Sequence, residues 1–177
     1  MVLEQLEHLI RACADIAADD DIVVVGSQAV LGSHADPPPA MLVSVEADVY
    51  PLHWPKRADV IEGAIGEGSP FHATFDYYAH GVGPDTAKGP EGWEDRLVAL
   101  RSENTRGATG WCMEVHDLVL AKCVAGRPKD WSFAENALRH QIVRLAELRA
   151  RAALLPVPAS HRESIAEGLE AREETRG

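Results

Sequence analysis

A chain of 177 residues, 46% of them apolar and 25% charged, is long enough to bury roughly 70% of its unfolded surface around one core. Its formal net charge of −11 argues against a broad polyanion-binding surface, and three irregularly spaced cysteines, Cys13, Cys112 and Cys123, exclude a disulfide scaffold or a zinc ribbon. No apolar run approaches the ~18 residues of a membrane span, and the first residues carry no leader pattern, so the expected setting is a reducing cytoplasm with no membrane partner.

The opening segment places Leu3, Leu6, Leu9, Ile10, Cys13, Ile16 and Ala17 on one stripe at helical spacing. After three aspartates, Ile22–Val25 is a β-branched run of the kind that forms a buried strand. Gly26-Ser27 follows, and SQAVLGSH then reads as a short helix with Ser27 as its N-cap. Three consecutive prolines, Pro37–Pro39, require a loop. MLVSVEADVYPL alternates and predicts a strand with Leu42, Ser44, Glu46 and Asp48 on one face, and Met41, Val43, Val45, Ala47 and Val49 on the other. Residues 54–66 have helical spacing through Ala58, Ile61 and Ile65, while FHATFDYYAHGV and the stretch around RLVALR read as two further strands. EVHDLVLAKCVA is helical with Gly126 at its C-terminal cap, and Pro128 opens a helix running through KDWSFAENALRHQIVRLAEL. A last polar helix begins near Ala159. The expected class is α+β: a small mixed sheet flanked by helices in residues 1–155, with a polar helix or tail over 156–177.

Charge is distributed unevenly along this order. Residues 1–87 hold 3 basic and 14 acidic groups, and residues 88–152 hold 11 and 9. One consequence is a site in which acids of the first half face cations of the second; the other reading is that exposed faces simply differ in composition.

Two pieces of the first half carry chemistry. Glu46 and Asp48 lie two apart on a strand, so both carboxylates project from one face about 7 Å apart and call for a counter-charge. A hard divalent cation supplies it, since Mg²⁺ is held by one or two carboxylates together with substrate phosphates. Gly26-Ser27 at a helix mouth complements them, because glycine lets backbone N–H groups approach a phosphate.

VVVGS at Val23–Ser27 and EADV at Glu46–Val49 resemble the signature of the nucleotidyltransferase superfamily typified by DNA polymerase β. That signature is a hydrophobic strand, Gly-Ser, a helix, then two acids alternating with apolar residues on the next strand. This chain departs from it in having 18 residues between Ser27 and Glu46, with the proline-rich loop as the insertion, and in a first acid that is Glu rather than Asp. HDLVLAKCVAGRPKDWSF, His116–Phe133, resembles the helical motif of minimal bacterial nucleotidyltransferases of the AbiEii-like toxin group, and SPFHATFDYYAHGV and GWEDRLV resemble, more loosely, a poorly characterised bacterial nucleotidyltransferase-like family of this length. By that resemblance Lys122 is the nucleotide-phosphate lysine and Asp130 a late catalytic acid; in the mechanism this suggests, Arg127 or Lys129 would neutralise pyrophosphate. A third catalytic carboxylate is looked for on a later strand, where only Asp76 and Asp95 are available.

The function so implied is transfer of a nucleoside monophosphate from a nucleoside triphosphate to a hydroxyl of RNA, tRNA or protein. Mg²⁺ or Mn²⁺ would be the cofactor and an antitoxin protein the implied partner. The alternative is a non-catalytic nucleotide-binding or regulatory module acting through a protein partner. Arg96, Arg101, Arg106, Arg127, Lys129 and Arg139 are the cations available for a local RNA track. The histidines show no HxH or HxxxH zinc pattern, and no Gly-x-Ser-x-Gly elbow is present.

Overall fold

Ile22, Val23, Val24 and Val25 are all buried, which is what a run of β-branched residues achieves when both faces of a strand are covered. In the computed structural model, which describes residues 1–174, this segment is the central strand of a five-stranded mixed sheet. The strands are β1 (Asp21–Val25), β2 (Glu46–Pro51), β3 (Tyr78–Gly81), β4 (Val98–Leu100) and β5 (Thr109–Cys112). Their spatial order is β3-β2-β1-β5-β4, with β1 antiparallel to β2 and parallel to β5, β2 parallel to β3, and β4 antiparallel to β5.

The amphipathic α1 (Leu3–Ala17) packs its Leu6, Leu9, Ile10 and Cys13 stripe against the sheet, beside α2 (Ala58–Ile65), which covers β3. A short α3 (Pro70–Phe75) follows. The second half supplies α4 (Val115–Ala125), α5 (Pro128–Arg139), α6 (Leu145–Ala152) and α7 (Ala159–Glu174). Residues Val115 through Leu120 of α4 are all buried, because the helix packs against α5, α6 and the segment Ser27–Gly32. Ile165 and Leu169 bury the inner face of α7, which packs on α5 and α6. The three cysteines are buried free thiols.

Several local expectations give way to tertiary context. The strand expected over residues 41–52 begins only at Glu46, and Val43 and Val45 point outward instead of into the core. Its partner explains this: β1 pairs with β2 only as far as Val25↔Asp48, and the chain then turns away at Gly26. Residues 70–75 are helical rather than extended, since the Ser69 hydroxyl caps the His72 N–H at 3.1 Å and Pro70 occupies the first turn. Only Tyr78–Gly81 of that segment joins the sheet.

The long helix after Pro128 breaks at Gln141, which has φ 57, and resumes at Leu145; the turn is held by the Arg144 N–H donating to His116 Nε2 at 3.1 Å. Strand β5 has no counterpart in the sequence pattern. Its Gly110 packs against Ile10, whose Cδ1 would lie 2.4 Å from a Cβ at that position and would have to shift.

Candidate active site

The end of β1 builds the site. The register Val25↔Asp48 sets the Asp48 carboxylate beside Gly26, whose φ of 69 and ψ of −170 fall in a region open essentially to glycine alone. A Cβ at residue 26 would lie 2.2 Å from Asp48 Oδ2. Glycine is therefore needed twice here, for the turn and for room beside the acid. The segment Ser27–Gly32 is a 3-10 helix with Gly26 rather than Ser27 at its cap. The Ser27 hydroxyl is thereby released from capping, and it accepts a hydrogen bond from Lys122 Nζ at 3.0 Å.

Lys122 reaches this point from the last turn of α4, where Gly126 at φ 67 closes the helix. Its ammonium also lies 3.6 Å from Asp130 Oδ1 and 4.7 Å from the centre of the Phe133 ring. Burial lowers the Lys122 pKa, and the Asp130 charge opposes that shift. Asp130 itself is fully buried near the start of α5. Arg127 grips it through Nε at 2.7 Å, its second terminal nitrogen at 3.2 Å and its own backbone N–H at 3.2 Å. Burial alone would raise the Asp130 carboxyl, but Arg127 and Lys122 outweigh it and hold the group below its usual range. Both carboxylate oxygens of Asp130 are engaged by cations. The Arg127 side chain remains largely exposed, and Lys129 is exposed on the first turn of α5.

The two acids of β2 have different environments. Burial raises the Asp48 carboxyl above its ordinary value, the nearby Glu46 charge adds to the rise, and His80 and Lys122 counter it. A half-buried carboxylate with this balance favours an added positive charge. The parallel register of β2 and β3 pairs Glu46 with Tyr78 and Asp48 with His80. The Tyr78 hydroxyl donates to Glu46 Oε2 at 2.9 Å, and His80 Nδ1 lies 2.9 Å from Asp48 Oδ1. Burial and the Glu46 hydrogen bond push the Tyr78 phenol to about 12. Tyr78 and His80 did not stand out in the sequence; their only trace is a two-residue spacing that matches Glu46 and Asp48. Asp76 and Asp95 are exposed and lie outside the strands, so β3 presents a phenol and an imidazole beside the acid pair.

Glu46, Asp48, Gly26, Ser27, Lys122, Arg127 and Asp130 are thus gathered around the end of β1, the acids of the first half meeting cations of the second. Beside Ser27, Gln28 is 1% exposed, donates through Nε2 to the Ser44 carbonyl at 2.8 Å, and leaves Oε1 buried without a partner among the described residues. Among the described residues, the three donors close enough to share a metal ion are Asp19, Asp21 and His53, at the opposite end of β1 from Gly26. There Asp19 already accepts from the backbone N–H groups of Asp21, His53 and Trp54, and Asp21 accepts from Trp111 Nε1 at 2.7 Å.

The far side of α4 carries another charged cluster. Fully buried Asp117 accepts from Arg96 Nε at 2.7 Å and Arg151 at 3.0 Å, while Glu114 accepts from His116 and Arg151. Arg139 pairs with Glu135. Of the cations expected to form an RNA track, Arg96 is held by buried Asp117, whereas Arg127 and Arg139 pair with nearby acids and keep side chains 59% and 58% exposed.

No curated protein and no solved structure matches the chain. Among the described residues no helix is long and apolar enough to cross a membrane. A family model covering residues 2–154 does match, and its description is a nucleotidyltransferase of unknown function, DUF6036. A match over so much of the chain, in a fold that sets a Gly-Ser turn against an acid-bearing strand, places this protein in that nucleotidyltransferase family.

Proposed function

We propose that the chain transfers a nucleoside monophosphate from a nucleoside triphosphate to an acceptor hydroxyl, using residues 1–155 as the transferase unit. The observation that carries this reading is the meeting of Gly26, Ser27, Asp48 and Lys122 at the end of β1. Exposed Arg127 and Lys129 extend the cationic side of the site.

In this reading Lys122 and the backbone at Gly26-Ser27 bind the β- and γ-phosphates. Glu46 and Asp48 hold a divalent cation, Mg²⁺ or Mn²⁺, which neutralises phosphate charge and polarises the α-phosphorus when bound. Tyr78 fixes one oxygen of Glu46, and Asp130 is a positioning residue: its ion pairs fix the heads of Lys122 and Arg127. The acceptor oxygen forms a bond to the α-phosphorus, the bond to the bridging oxygen breaks, and pyrophosphate leaves near Arg127 and Lys129. The acceptor proton passes to solvent. Positioning and electrostatics supply most of the rate, as in phosphoryl transfer generally.

One observation favours a second reading. Strand β3 offers Tyr78 and His80 where a third carboxylate is looked for, which suits a module that binds nucleotide without transferring it and acts through a protein partner. Calorimetric titration with each triphosphate and Mg²⁺ or Mn²⁺, followed by transfer of α-³²P label into total RNA and protein, separates the two. Incorporation that Asp48→Asn abolishes supports the enzyme and identifies the acceptor class. Binding without incorporation supports the module, and absence of binding overturns both. The toxin role implied by the AbiEii-like resemblance adds a growth test: expression arrests the host, and Asp48→Asn relieves the arrest.

A further inference from the structure

The ladder between β1 and β2 ends at Val25↔Asp48, and a side chain bridges the gap that opens beyond it. Gln28, two residues after Gly26, donates from Nε2 to the Ser44 carbonyl at 2.8 Å. A carbonyl only accepts, so the amide must turn its NH₂ towards Ser44, and Oε1 stays buried with no partner among the described residues. The Ser44 hydroxyl in turn accepts from the Glu46 N–H at 3.2 Å. Val43 and Val45 are exposed, so the residues flanking Ser44 are not held by apolar burial. Folding does not ask for an amide at position 28. The Ser44 carbonyl also receives a hydrogen bond from the Met1 nitrogen at 3.1 Å, and a methionine would fill the space of Gln28 without an orphaned acceptor.

We propose that Gln28 is a positioning residue, whose tether to Ser44 sets Glu46 in register with the Gly26-Ser27 turn. The inference rests on that turn and Glu46 acting on one nucleotide, as the proposed function requires. Each end of the tether adjoins one half of the site. Gln28 follows Ser27, whose hydroxyl receives Lys122 at 3.0 Å, and Ser44 lies two residues before Glu46. Tyr78 holds the Glu46 side chain through Oε2, while the Gln28–Ser44 link holds its backbone. A buried acceptor left without a partner calls for a reason, and beside a site that reason is position gained against stability. Misplacing a reacting group by about 1 Å can slow a reaction about a hundredfold, so such a tether acts on rate more than on folding.

The test compares the full chain as wild type, Gln28→Met, Ser44→Ala and the double variant. Gln28→Met should melt within about 2 °C of wild type, because it loses one hydrogen bond and one orphaned acceptor together. In the unliganded variant the Glu46 amide should exchange with solvent roughly tenfold faster. The kcat for α-³²P label transfer should fall about tenfold while KM for the triphosphate stays within about twofold, since Lys122 and the Gly26-Ser27 backbone remain. Ser44→Ala should behave alike, and the double variant should lose no more than either single change, because both break one tether. Four results overturn the assignment: a wild-type kcat in Gln28→Met, an unchanged Glu46 amide, additive losses in the double variant, or a melting temperature lowered by more than about 6 °C, which makes Gln28 a core residue. If Asp48→Asn still abolishes transfer in any of those cases, only the Gln28 role has failed. Wild-type protein that transfers no label overturns the proposed function and this role with it.

Discussion

Helix α4 presents charge to two places, and the two clusters differ in what is left unmatched. On one side, fully buried Asp117 sits between Arg96 and Arg151, and Arg151 also meets Glu114 and Glu147. Each acid there has a cation in contact, and Glu114 is driven down to about 2: burial opposes this shift, but hydrogen bonds and charges from His116 and Arg151 prevail. On the other side, Lys122 is lowered and Asp48 raised, each largely by burial. Charges that stabilise one another hold a fold together; charges kept at a cost are what a ligand can satisfy. The first cluster fixes α4 to α6, and the second faces the end of β1.

The largest expected effect is on activity. Asp48→Asn should lower label transfer about a thousandfold, in line with loss of a principal charge-stabilising group. Because this carboxylate is raised by burial, the same change should raise the melting temperature of the metal-free protein by roughly 2 °C in a thermal scan. Asp117→Ala should do the reverse. Breaking a buried ion pair costs about 3 kcal/mol, which lowers the melting temperature by roughly 6–12 °C, while the fraction that stays folded keeps its transfer rate. Lys122→Met should weaken triphosphate binding by calorimetry about thirtyfold, the worth of a charged hydrogen bond to phosphate. Asp130 keeps Arg127 in that variant, so the fold should survive.

Acid separates the clusters by sign. Glu114 is depressed in the folded state, so its stabilisation is complete above the unfolded value near 4.5 and is lost as pH falls towards about 2. Asp48 is raised, so protonation relieves its cost as pH falls through its folded pKa towards the unfolded value. Urea melts between pH 6 and pH 3 should therefore show a smaller acid-induced loss for a Glu114→Gln variant than for wild type. The loss should be larger for Asp48→Asn, because that variant lacks the opposing gain.

Much of the site was legible in the chain because backbone geometry demands particular residues there. Gly26 answers a positive φ and a close carboxylate, Glu46 and Asp48 share a strand face, and Lys122 and Gly126 belong to a helix end with a glycine cap. What escaped depends on pairings between distant segments. Tyr78 and His80 mean nothing until a four-residue strand is registered against β2, and β5 is a short segment whose Gly110 makes room for Ile10. Val43 and Val45 continue the alternation of a strand whose partner has already turned away. His116 is buried, and its Nε2 accepts from the Arg144 N–H, 28 residues away, at the turn that breaks the helix after Arg139.

The division between the two faces of α4 comes down to one measurement: the initial rate of α-³²P label incorporation per folded molecule for wild type, Asp48→Asn and Asp117→Ala. The expected result is that Asp48→Asn, fully folded, incorporates essentially nothing, and that Asp117→Ala, less stable, matches wild type once corrected for its folded fraction. A folded Asp48→Asn protein that transfers label at the wild-type rate contradicts it.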